Sequence, residues 1–173
     1  MDKEKIKSFK QVCEICHKLQ KKGKKIVFYH GFFDILHRGH VTLLIEAKNL
    51  GDVLVVGVDH DDNARILKGL GRPINDHESR MFVLSNLEPV NYVFLIDSFK
   101  KDYLVGGDKT VSKYLDRIYL KLRPDIVATC MKAGKYGDLK KQHAKLVSAR
   151  FIDIKCALYD KNTTKTIKIL GLD

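Results

Sequence analysis

A doubly wound parallel α/β sheet with helices on both faces is the fold class the sequence predicts, and three observations carry that reading. Short apolar runs alternate with stretches of helical spacing along the whole chain. One run, Val53-Leu54-Val55-Val56-Gly57-Val58, is continuous rather than alternating, as suits a strand buried on both faces. A second run, Ile26-Val27-Phe28-Tyr29, leads directly into a glycine- and histidine-bearing turn that opens a helix. In such sheets ligands sit outside the carboxyl ends of the strands.

Taken in order, residues 4–22 carry apolar side chains at Ile6, Phe9, Val12, Cys13, Cys16 and Leu19, which predicts an amphipathic helix ended by Gly23. Residues 25–30 read as the first strand, followed by a helix from the histidines to Leu50. Gly51-Asp52 punctuates, and strands are expected at 53–58, 93–96, 126–128 and 151–158. Helices are expected at 77–87, 111–122 and 138–148, with a last one opening near Thr163 or Thr164. No repeat, low-complexity tract or linker divides the chain, so residues 1–173 are read as a single domain. Its parts are an amino-terminal helix over 1–24 and a core over 25–173.

At 173 residues the chain can bury about two-thirds of its unfolded surface. Apolar runs fall well short of the roughly 20 residues a spanning helix needs, and the charged start lacks a signal-peptide core. No membrane partner and a cytoplasmic location are therefore expected. Net charge is +11, but its placement matters more. Residues 1–25 hold nine lysines against three acids, residues 26–99 six bases against ten acids, and residues 100–173 seventeen bases against eight acids. The excess lies on flanks without interleaved aromatics, away from the motif, which argues against nucleic acid as a partner.

Four cysteines suit a reducing compartment. Cys13-Glu14-Ile15-Cys16-His17 has the spacing of c-type haem attachment. It lies inside a predicted helix whose buried stripe takes in Val12, Ile15, Cys16 and Leu19, so core thiols are the favoured reading, and zinc would lack a fourth ligand. Cys130 and Cys156 fall in apolar runs and read as core thiols too.

The chemistry concentrates at His30-Gly31-Phe32-Phe33-Asp34-Ile35-Leu36-His37-Arg38-Gly39-His40. Histidines three apart share one helical face. Beside them lie the open N–H groups and positive dipole end of a helix start, and Gly39 leaves the surface bare for a phosphate. The spacing is not the H-E-x-x-H of metalloproteases, so phosphate binding is favoured over a metal. A second loop, Lys68-Gly69-Leu70-Gly71-Arg72-Pro73, offers a lysine point charge and an arginine fork, and Arg80, following on a helix, is placed to brace the site. A third segment, Asn162-Thr163-Thr164-Lys165-Thr166, places polar residues before an apolar helix and reads on its own as a cap.

The 30–40 segment resembles the cytidylyltransferase-like nucleotidyltransferase superfamily, whose hallmark is this histidine pair in a Rossmann-like sheet. Gly31, Phe33-Asp34, Leu36-His37, Gly39-His40-Val41, Leu50-Gly51-Asp52, Leu67-Lys68-Gly69, Gly71-Arg72-Pro73-Ile74-Asn75, Arg80-Met81 and Val90-Asn91-Tyr92-Val93 are similar to the adenylyltransferase domain of bacterial ADP-heptose synthases. The similarity is close over 6–96 and architectural from 100 to 173. It implies an enzyme that moves a nucleoside monophosphate from an NTP, ATP before CTP, to a phosphorylated acceptor such as a heptose 1-phosphate, releasing pyrophosphate.

The resemblance assigns His37, His40 and Lys68 to catalysis. Nucleotide contacts fall to Gly31, Phe32, Phe33, His37, Gly39, His40, Lys132, Gly134, Asn162, Thr163 and Thr164, and acceptor contacts to Asp34, Lys68, Arg72 and Arg80. Magnesium is the implied cofactor, held mainly by substrate phosphates rather than by a protein metal site. A homodimer is a further expectation, to which the amino-terminal helix could contribute. Alternatives are glycerol- or polyol-phosphate cytidylyltransferases using CTP, FMN adenylyltransferases, and, in a different class, an inactive nucleotide sensor or nucleic-acid-associated module. Departures from the pattern are Phe32 where cysteine or threonine is usual, His30 where asparagine or a small residue is frequent, and the atypical segment 129–138 where relatives carry Lys-Gly-Gly-Asp. The Arg-Thr pair of glycerol-phosphate enzymes is also missing before the last helix.

Overall fold

A computed structural model describes residues 3–69, 71–130 and 137–155. Five strands, β1 (Ile26–Gly31), β2 (Val53–Asp59), β3 (Tyr92–Ile96), β4 (Ile126–Thr129) and β5 (Arg150–Asp153), form one sheet in the order β3-β2-β1-β4-β5. Every pairing is parallel. The order reverses direction between β1 and β4, so the crevice for a ligand opens at the carboxyl end of β1.

Helices cover both faces, which explains why β1 and β2 are apolar at nearly every position. On one face Val27 and Tyr29 of β1 pack with Leu43, Leu44 and Ala47 of α2 (Arg38–Lys48) and Met81 and Leu84 of α4 (His77–Ser85). On the other, Ile26 and Phe28 meet Val12 and Cys16 of α1 (Phe9–Gln20), Ile118, Tyr119 and Leu122 of α5 (Lys100–Leu122) and Ala144 of α6 (Gly137–Leu146). A polar residue just ahead of β2, β3 and β4 ties each to its neighbour: Asp52 accepts from Lys25 N–H (2.8 Å), Asn91 from Leu54 N–H (2.8 Å) and Asp125 from Ile26 N–H (2.8 Å).

Several expectations are corrected. The amino-terminal helix does not start at residue 4. A 3₁₀ turn over Lys3–Lys5 comes first, Ile6 bridges to Val93 at the sheet edge, and α1 begins only after Ser8. The reason is a capping box in which Ser8 and Gln11 satisfy each other's backbone N–H, the start signal within the apolar pattern. The apolar stripe of α1 packs onto the chain's own core, where Phe9 lies 5.0 Å from Phe94. Cys16 is fully buried and its thiol is pushed up to about 12 by burial, while His17 is exposed, so the haem-like spacing presents no common face.

The helix α3 (Asp61–Lys68) is not among those expected, and α5 starts at Lys100 rather than 111, broken at Gly107 (φ 59°, ψ −146°). Strand β5 stops at Asp153, short of the expected 158. Lys132, Gly134, Cys156, Asn162, Thr163, Thr164 and the final helix lie outside the described residues. Among the described residues no helix is long and apolar enough to cross a membrane.

Candidate functional site

The loop from β1 to α2 carries the site and is held in a costly shape. Phe33 (φ 55°) and Ile35 (φ 48°) both occupy the left-handed region, at about 1–2 kcal/mol for each such residue. Asp34, between them, is buried and anchors the turn. Its Oδ2 accepts from Arg72 Nε (3.0 Å) and Ile74 N–H (3.0 Å), and its Oδ1 from Asn75 N–H (3.1 Å). The carboxylate expected to meet an acceptor therefore fastens one loop to another, because a buried carboxylate needs every oxygen satisfied. Arg72 is likewise anchored before any ligand arrives.

His37 is the N-cap of α2, in extended conformation (φ −138°, ψ 170°), and not a member of its first turn as the i, i+3 reading assumed. Its Nδ1 accepts from Gly39 N–H at 3.1 Å, so that N–H is committed rather than open, and Gly39 itself is buried. This bond has a useful consequence. A neutral His37 whose Nδ1 accepts must carry its proton on Nε2, which becomes a donor. The His40 ring lies 4.0 Å from that of His37, centroid to centroid, and 5.7 Å from Phe33. Burial, with His37 adding to it, holds His40 down to about 4, and burial lowers His37 as well. Both rings are neutral donors near pH 7.

Arg80 gathers the loops beneath. Its guanidinium is buried and donates to Phe32 O, to Asn75 O (2.9 Å), to Asp59 O (2.8 Å) and to Asp61 Oδ1 (2.6 Å). Asp61 also pairs with His77 at 3.0 Å. Arg80 thus braces the cradle from within its helix, as its position in the sequence suggested. Lys68 ends α3 rather than sitting in an open loop, with its Nζ 5.5 Å above the Phe32 ring.

Gly31 points to an occupant. A Cβ there would meet nothing nearer than 3.7 Å, an ordinary contact, so no neighbour among the described residues requires glycine. The bare backbone suits a ligand that approaches closely. Gly57 differs, since a Cβ would lie 2.9 Å from Ile96 and 3.1 Å from His30.

The structure thus brings Gly31, Phe32, Phe33, Asp34, His37, Gly39, His40, Lys68, Arg72 and Arg80 to one end of the sheet. Sequence reasoning missed three more groups there. His30 is buried, with Nε2 3.1 Å from the Tyr119 hydroxyl and burial holding its ring well below the usual histidine range. Asp59 closes β2, and burial pushes its carboxyl up to about 6 against the pull of Lys140, Arg80 and Lys68. Lys140 of α6 donates to His30 O at 2.7 Å. Only His30 had a local signal, its departure from the usual small residue.

Residues 28–151 match the family model described as "Cytidylyltransferase-like". The chain is 49% identical over 113 residues to the Bifunctional protein HldE of a Nitratiruptor species, covering 60% of this chain and 24% of that protein. It is 47% identical over 92 residues to the protein of that name from Aliarcobacter butzleri, covering 53% and 19%. The chain spans about a fifth to a quarter of the length of these curated relatives. Among solved structures, the lipopolysaccharide core biosynthesis protein of Thermoplasma volcanium is 29% identical with a TM-score of 0.59, covering 78% of this chain and 98% of that one. Pantoate-beta-alanine ligase from Francisella tularensis, 19% identical with a TM-score of 0.62 over 86% and 66% of the two chains, shares the fold.

Proposed function

The chain belongs to the cytidylyltransferase-like family, and from that premise we propose that it transfers a nucleoside monophosphate from an NTP, ATP before CTP, to a sugar phosphate, releasing pyrophosphate. A heptose 1-phosphate is the acceptor we favour. Similarity to the HldE proteins over the nucleotide-binding part supports this, and a saccharide acceptor fits the lipopolysaccharide core biosynthesis named for the Thermoplasma protein. The observation that carries the reading is the pair of neutral imidazoles, 4.0 Å apart, at the helix start beside the bare Gly31.

In the proposed reaction an acceptor phosphate oxygen attacks the α-phosphorus in line. A P–O bond forms to the acceptor as the bond to pyrophosphate breaks. The attacking oxygen is already anionic, so no general base is needed, and positioning with charge stabilisation does the catalysis. His37 Nε2–H and His40 donate to oxygens whose charge grows in the transition state, and Lys68 neutralises charge between donor and acceptor. Asp34 and Asp61 are engaged by Arg72 and Arg80, so they offer no free carboxylate pair to a metal. Magnesium, which favours phosphate oxygens and water, would come on the triphosphate and assist the leaving pyrophosphate.

The test is pyrophosphate release from ATP and from CTP across a panel of sugar and polyol phosphates, with His40→Ala beside the wild type. Loss of one preorganised donor is expected to lower turnover roughly 100- to 1,000-fold with the fold retained. Turnover near normal in His40→Ala would refute the assignment. Release with CTP alone would replace the adenylyl reading.

A further inference from the structure

Two lysines flank the carboxyl end of β1 from opposite sides. Lys68 arrives from α3, after β2, over Phe32, and Lys140 arrives from α6, after β4. Lys140 reaches across the top of the sheet. Its ammonium donates to His30 O at 2.7 Å and stands 4.8 Å from the centre of the Tyr29 ring. It therefore lies one residue from Gly31, at the point where strand order reverses. Among the described residues only that carbonyl accepts a hydrogen bond from it, and no carboxylate lies within ion-pairing distance. An ammonium has three donors, so two remain for a ligand in the crevice.

We propose that Lys140 is a further nucleotide-contacting residue, whose ammonium meets the phosphate chain of the bound triphosphate at the β1–β4 crevice. The inference rests on the nucleotidyl-transfer reading and extends it to a residue carried by neither the histidine motif nor the Lys68 loop. Phosphate is the fitting partner because the ammonium is partly buried and lacks a direct counter-charge, a combination that an arriving anion relieves. The groups that face it are the His30 ring and carbonyl and the Tyr29 ring from β1, Asp59 from the end of β2, the Cys130 thiol after β4 and His143 from its own helix. Burial, opposed by Asp59 and Cys130, brings Lys140 down to about 8, so the free site loses this charge under mildly alkaline conditions.

Binding of Mg-ATP and of adenosine to the full chain, measured by calorimetry, separates a phosphate contact from a structural strut. Lys140→Met is expected to weaken ATP roughly 10- to 100-fold, as for a lost charge-assisted bond, and to leave adenosine unchanged. Lys140→Arg should recover most of the loss. Wild-type affinity for ATP should fall as pH rises past about 8, and this fall should be missing in Lys140→Met. Equal weakening of ATP and adenosine, or no change for either, overturns the proposal while the transfer reading stands. If the wild type binds neither ATP nor CTP, the transfer reading fails and this one with it. Should Lys140→Met not fold, acylation of wild-type lysines mapped by mass spectrometry decides: ATP must protect Lys140, and undiminished labelling refutes the contact.

Discussion

Arg80 offers the sharpest test of how the cradle is held. In Arg80→Ala four hydrogen bonds disappear, three to the carbonyls of Phe32, Asp59 and Asn75 and one to the carboxylate of Asp61. The side chain is only 1% exposed, so water cannot freely replace them. Removing one partner of a buried ion pair costs about 3–5 kcal/mol, because the other charge is left uncompensated. Here Asp61 keeps His77 at 3.0 Å, which softens that term, while three carbonyls lose a donor, which adds to it. We expect a net loss of about 4 kcal/mol, close to a thousandfold in the folding equilibrium. The assay is urea denaturation, reading a lower midpoint at an unchanged slope. Arg80→Lys should recover little, because a point charge cannot span four acceptors held in a fork. A midpoint for Arg80→Ala within about 1 kcal/mol of the wild type would refute the hub.

Three other outcomes follow from the same geometry. Gly31→Ala should leave stability unchanged or raise it by about 0.4–1 kcal/mol, since its Cβ finds room, yet weaken ATP binding in a titration; unchanged affinity would remove Gly31 from the cradle. Gly51→Ala should cost about 1–3 kcal/mol in denaturation, because its Cβ would lie 2.7 Å from Val27 and 2.9 Å from the Lys25 carbonyl oxygen, a backbone atom that cannot swing aside. For His40 the folded value of about 4 lies below the unfolded 6.5, so the unfolded chain binds more protons in that window and stability falls as pH drops through it. Between about pH 7.5 and about pH 5 the wild type should lose about 2 kcal/mol more than His40→Gln, a comparison that cancels the opposite drift of Asp59. Parallel pH profiles for the two proteins would contradict a neutral, buried His40.

What was legible in the chain was what neighbours in sequence decide. The unbroken run at 53–58 became β2 because both faces of that strand are covered, and the histidine pair marked the start of α2 because a helix must open where its N–H groups find acceptors. The hidden parts depend on distant partners. α3 is capped by His60, an uncommon N-cap residue, and begins with two aspartates, so it reads as a polar turn. The first half of α5 contains Gly106-Gly107 and is apolar at few positions, and its extent is set by packing rather than propensity. Asp34 is separated by about forty residues from the loop it binds, and Lys140 by 110 from the carbonyl it reaches. No local pattern announces either. Residue type nevertheless gave the right neighbourhood, since Arg72 and Asp34 were both expected at one site. Their pairing with each other is what no local pattern shows.

That pairing shows how such a site can be both rigid and ready for an anion. Charges that lie deep, Asp34 with Arg72 and Asp61 with Arg80, cancel in pairs and set the shape of the loops. The imidazoles nearest the crevice are kept neutral by burial, which spares the site two desolvated charges. Their proton affinity is low only while no anion is present. A triphosphate placed beside them favours the charged form and raises it, so binding should be coupled to proton uptake below neutral pH. The same anion would restore charge to Lys140, so uptake is also expected on the alkaline side. Calorimetry of ATP binding in buffers of different ionisation enthalpy counts those protons directly. Binding without net uptake both below and above neutrality would mean that neither the histidines nor Lys140 senses the phosphates.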